Sequence, residues 1–80
     1  MDTNEISSKQ ARRFYKVAEA AALLDLSEPT LYRAIRAGEF PAIRVRGRLV
    51  IPARAIDDME TSALANGLVD ARTYALRPVG

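Results

Sequence analysis

Between residues 17 and 24, apolar positions recur at helical spacing, as Val17, Ala20, Ala21, Leu23 and Leu24. An alanine-rich run of this kind favours helix. Asp25 and Leu26 then read as a tight connection to a second helix. There Leu31 and Ile35 fall on one face, while Thr30, Tyr32, Arg33 and Arg36 are left for the others. The limits of this second helix are written in its own residues. Ser27 can accept from the first orphan amides, Pro29 is tolerated in the first turn, and Gly38 suits the left-handed position past the last turn.

After Gly38, the sequence Glu39-Phe40-Pro41 breaks the helical pattern, and residues 42–45 alternate apolar and polar with strand period. Arg46-Gly47 predicts a tight turn, with Gly47 supplying a positive dihedral and Arg46 less suited to its place than asparagine or aspartate. Residues 48–51 read as the return strand, ended by Pro52. A third helix is expected over 54–64, with Ile56, Met59 and either Ala63 or Leu64 facing inward and Asp57, Asp58 and Glu60 outward. Asn66-Gly67 is a stop signal. A further short helix is expected around 69–76, closed by Arg77-Pro78. The polar residues 1–13 read as a flexible leader, and the pair Phe14-Tyr15 is expected to pack against the domain. The predicted core is Leu23, Leu26, Leu31, Ile35, Val45, Val50 and Ile51. The expected fold is α+β and mostly helical, with a domain over 14–64 and a tail or short extra helix over 65–80.

Eighty residues form one small domain, too small for a large enzyme cleft. Cysteine and histidine are both absent. That removes disulfides, thiolate metal sites, the commonest general base and the usual zinc ligand. No nucleophile sits beside a plausible base, so the chain reads as a non-enzyme without cofactor or metal. No apolar run reaches the length of a membrane span or signal core, which sets a cytoplasmic expectation.

The overall charge is only +2, yet residues 28–54 alone carry +4, with six arginines against two glutamates. Every base in that segment is arginine, whose planar multi-donor head suits phosphates and guanine edges. Charge by itself is equally consistent with a solvated face. Position adds more. Two short helices, the second basic outside, followed by a hairpin, form the pattern of a winged helix-turn-helix. In such a pattern Arg33 can pair with a guanine, Thr30 can touch a thymine methyl or a phosphate, and Arg46 and Arg48 around Gly47 can reach a narrow minor groove. Ser27 is first of all a helix cap. Tyr32 can pack on the wing or meet a phosphate, and Arg54 can serve DNA or pair locally with Asp57 or Asp58.

The stretch Tyr15-Lys16-Val17-Ala18-Glu19-Ala20, then Leu26-Ser27-x-x-Thr30-Leu31-Tyr32-Arg33-x-Ile35-Arg36-x-Gly38-Glu39-Phe40-Pro41, then Arg44-Val45-Arg46-Gly47-Arg48 and Ile51-Pro52, resembles the excisionase-type helix-turn-helix family. This family is related to the DNA-binding domain of MerR-like regulators. The resemblance covers residues 14–60. It implies a phage or mobile-element excisionase, a directionality factor that binds and bends double-stranded DNA beside an integrase. A monomer of this size buries little DNA surface, so neighbouring copies of itself on repeated sites are expected to strengthen binding. It places Ser27, Glu28, Thr30, Tyr32, Arg33 and Arg36 on the recognition helix and Arg44, Arg46, Gly47 and Arg48 on the wing. Asp25 departs from the pattern, standing where such sequences often carry glycine, which predicts a strained or shifted turn. A small transcriptional regulator of the same fold is the alternative, followed by an antitoxin or anti-repressor module.

Overall fold

The computed structural model describes residues 12–75, so most of the expected leader and the end of the tail, Arg77-Pro78 included, lie outside the described residues. In chain order the elements are β1 (Phe14–Lys16), α1 (Val17–Leu23), α2 (Glu28–Arg36), β2 (Ile43–Val45), β3 (Arg48–Pro52), α3 (Ala53–Asn66) and α4 (Ala71–Ala75). The expected hairpin is present, and β1 adds a third strand to it. The sheet is antiparallel in the order β1-β3-β2. Tyr15 pairs with Ile51 and Arg44 with Leu49.

Local chemistry explains where α1 and α2 begin. At α1 the Lys16 N–H donates to the Glu19 carboxylate at 2.9 Å, and Glu19 also takes a 2.8 Å ion pair from Arg12. The backbone bond from Lys16, and then the Arg12 side chain, hold the Glu19 carboxyl below its ordinary pKa. At α2 the Ser27 hydroxyl oxygen accepts from the Thr30 amide at 3.2 Å, with Pro29 in the first turn. Acidic Glu28 lies in the first turn and Arg33 and Arg36 in the last, each favourable to the helix dipole.

Both helices end in the same way. After α1 the Asp25 N–H donates to the Ala22 carbonyl at 3.2 Å and the Leu26 N–H to Ala21 at 2.8 Å. After α2 the Gly38 N–H donates to Ile35 at 3.0 Å and the Glu39 N–H to Ala34 at 2.8 Å. These are two Schellman motifs, each with a left-handed residue at its centre. That residue is Asp25 at φ 60° in the first and Gly38 at φ 77° in the second. Asp25 therefore keeps the glycine-like turn that its sequence departs from.

The core is one cluster of Val17, Ala20 and Ala21 from α1, Leu31 from α2, Phe40 from the connection and Ile51 from β3. Leu31 and Ile51 are fully buried. Leu24, Tyr32, Ile35, Leu49, Ile56 and Met59 pack around it. At the start of α3 the Ala53 N–H, without a helical acceptor, donates to the Arg13 carbonyl at 2.9 Å.

Four core expectations are corrected, and two further expectations with them. Leu23 is 58% exposed because the buried face of α1 runs through Val17, Ala20, Ala21 and Leu24, and Leu23 falls off it. Leu26 is 42% exposed, lying past the end of α1 in the connection. Val45 is 56% exposed and Val50 only half-buried, because the register pairs them with Arg48 and Ile43 on the face of the sheet opposite Leu49 and Ile51. On α3, Ala63 and Leu64 are exposed, since from residue 60 onward every α3 residue but Ser62 is exposed. The helix outruns the body that could bury it. The extra helix expected over 69–76 is the shorter α4, and Leu76 lies outside the described residues.

Candidate nucleic-acid interface

The outer surface of α2 gathers the predicted helix residues into one patch. Glu28, Tyr32, Arg33 and Arg36 line a shallow depression with Pro29, of about 440 Å³. Tyr32 is half-buried, its ring packed on the core cluster, and the Arg36 guanidinium lies 5.8 Å from the ring centroid. That distance allows a cation–π contact, which orients Arg36 without neutralising it. On the neighbouring turn the Arg33 Nη2 donates to the Thr30 Oγ1 at 3.4 Å, and the Ser27 hydroxyl donates to the same oxygen at 2.7 Å. Ser27, Thr30 and Arg33 thus form a short polar chain up the helix. Arg33 and Arg36 are both exposed, and neither takes part in an ion pair among the described residues.

The wing is built by a two-residue turn in which Arg46 has φ 52° and Gly47 φ 84°. Two consecutive positive dihedrals mark a type I′ turn, whose twist matches that of the flanking strands. Glycine adopts this conformation freely, whereas arginine does so at a cost. Arg46 is therefore held at the tip of the hairpin in a conformation chosen by the turn.

The register separates the remaining wing arginines. Arg44 lies opposite Leu49 and so shares the face of the hairpin that turns toward the core. Arg48 lies opposite Val45, on the outer face. The wing arginines are thus distributed over both faces of the hairpin and its tip. On the outer face Lys16 lies opposite Val50, two positions from Arg48. Lys16 is a basic residue absent from the sequence-based expectation for the site. Its signal was the alternation of Tyr15 with flanking Phe14 and Lys16, too short to read as a strand alone.

Arg54 is exposed at the start of α3 and, among the described residues, makes no ion pair with Asp57 or Asp58. Also among the described residues, no helix is long and apolar enough to cross a membrane. The nine residues of α2 span about 14 Å at 1.5 Å each. A B-form major groove, about 12 Å wide, admits a helix of this kind.

Comparisons with known proteins agree with this architecture. Two Mycobacterium tuberculosis proteins, one from strain CDC 1551 / Oshkosh and one from strain H37Rv, are each 43% identical over 63 residues. The aligned region is 76% of this chain and 81% of either relative, and each relative bears the name "Putative DNA-binding protein". No solved structure matches the chain significantly. The family described as "Helix-turn-helix domain" matches residues 14–62, from β1 through most of α3, and the chain belongs to it.

Proposed function

We propose that this protein binds duplex DNA sequence-specifically, with α2 in the major groove and the β2–β3 wing against the adjacent minor groove. The observation that carries this reading is the cationic face of α2, where Arg33 and Arg36 beside Tyr32 make no ion pair among the described residues, next to a hairpin bearing Arg44, Arg46 and Arg48. Arg33, on the exposed face of α2 one turn beyond Thr30, reads a base edge, while Ser27 and the helix start hold a phosphate. Glu28, Thr30 and Gly47 complete the two surfaces. The names of the Mycobacterium tuberculosis relatives support DNA as the ligand.

Within that reading, the protein acts as an excisionase that bends DNA and directs an integrase toward excision. Support comes from the resemblance over residues 14–60 and from a helix and wing that together can span neighbouring grooves. Copies on repeated sites add affinity that one small interface lacks. Gel shifts on an attachment-site fragment, with a circular-permutation bend assay, test the proposal. Stepwise, bent complexes are expected, together with increased excision when the cognate integrase is present. Unbent binding with unchanged excision would move the protein to the alternative, a small transcriptional regulator, which the relatives' names fit equally well.

A further inference from the structure

Beyond residue 62 the chain leaves the family-matched region, yet it returns to the body. Helix α4 is only five residues long, and a helix so short has no stability of its own. Asp70 starts it. The Asp70 carboxylate accepts from the Arg72 amide at 2.9 Å and from the Arg72 guanidinium at 2.8 and 3.1 Å, and the Asp70 carbonyl accepts from the Thr73 amide at 3.0 Å. Ala71 packs against the core cluster, and Tyr74 and Ala75 are half-buried. Tyr74 shares a depression of about 570 Å³ with Ile35, Phe40, Pro41, Arg44 and Leu49. Those residues belong to the end of α2, the connection after it and the root of the wing. The connection is the joint between the two surfaces assigned above to DNA.

We infer that α4 is a brace across this joint, with Tyr74 as a positioning residue that fixes the angle between α2 and the wing. The inference rests on the proposed DNA reading for its purpose, and on the packing of Ala71 against the core and the place of half-buried Tyr74 in that depression for its existence. Residues 38–42 connect two elements that must meet two grooves at once, and a free hinge there would cost order at each binding event. A half-buried side chain that lines one depression with Phe40, Pro41 and Leu49 limits that freedom before DNA arrives.

Hydrogen exchange on the full chain tests the brace without DNA. Tyr74→Ala is expected to raise exchange of the amides of residues 43–50 on the order of tenfold, leaving the turn amide of Leu26, hydrogen-bonded to the Ala21 carbonyl, protected, and Tyr74→Phe is expected to restore protection. Asp70→Ala, which removes the start of α4, carries the same expectation and stands in if Tyr74→Ala fails to fold. Unchanged exchange of residues 43–50 in both variants would overturn the proposal. With a duplex titrated over a range of salt, Tyr74→Ala is expected to flatten the log–log dependence by about 0.9 for each phosphate that the wing no longer neutralises. An unaltered slope in a protein that binds normally would also overturn the brace. If the wild-type chain bound no duplex at low salt, the DNA reading would fall while the exchange result still decided the role of Tyr74.

Discussion

Asp25 and Gly38 occupy the same position in two copies of one helix-ending motif, at φ 60° and 77°. Each is the left-handed residue whose N–H returns to the preceding turn, onto Ala22 and Ile35 respectively. Only one of the two is glycine. A Cβ added at Gly38 would meet no atom within 4 Å, so the penalty of a side chain there is one of backbone conformation and not of space. Gly38→Ala is therefore expected to cost about 1 kcal/mol, and Asp25→Gly to stabilise by a few tenths up to about 1 kcal/mol. Urea denaturation of the two variants checks both signs.

The turn at the wing tip sets folding against binding at one residue. Arg46→Asn supplies the residue that a type I′ turn prefers ahead of Gly47 and is expected to stabilise the hairpin by about 0.5 kcal/mol. The same change removes the tip charge. Duplex affinity is expected to fall, with a salt slope shallower by about 0.9 if Arg46 neutralises one phosphate. A variant that gained stability and kept its full affinity would show that the tip does not touch DNA.

Arg33 is held toward Thr30 on the exposed face of α2. Arg33→Ala is expected to weaken binding to the cognate site by about 1 to 3 kcal/mol and to relax preference at one base position. Competition binding against single-base variants of the site measures this. Equal weakening on every sequence would reassign Arg33 to a phosphate.

The two faces of the sheet predict opposite tolerances. Ile51→Ala, at a fully buried position, is expected to cost about 2 to 5 kcal/mol. Val45→Thr, on the exposed outer face, is expected to change stability by less than about 0.5 kcal/mol. Thermal unfolding of the pair distinguishes this register from one shifted by a residue, which would reverse the order.

Glu19 and Asp70 both have carboxyl pKa values held below the ordinary range. For Glu19 the Lys16 amide contributes most and the Arg12 guanidinium next; for Asp70 the largest cause is the Arg72 side chain. A carboxyl lowered on folding stabilises above its unfolded pKa and loses that contribution as pH falls through the folded value. The starts of α1 and α4 are therefore expected to loosen only below about pH 4, where free carboxylates protonate. Circular dichroism and exchange of the α4 amides across pH 2 to 6 follow the change. Loosening already complete at pH 6 would exclude these two groups as its cause.

The features legible in the residues alone are local. Ser27, Pro29 and Gly38 bound α2 because caps and positive dihedrals act within one turn, and Arg46-Gly47 with its flanking alternation specified the hairpin for the same reason. The cationic character of α2 and the wing was equally legible, since charge is carried by the residues themselves. Tertiary structure decided which faces these elements show. Phe14–Lys16 became a strand only because β3, more than thirty residues on, was there to pair with it. That register put Val45 outside, Leu49 and Ile51 inside, and Arg44 and Arg48 on opposite faces. The same long-range packing seated Ala71 on the core and Tyr74 beside Phe40. A dihedral preference is a property of neighbours in sequence, whereas a buried face exists only when a distant part of the chain arrives to cover it.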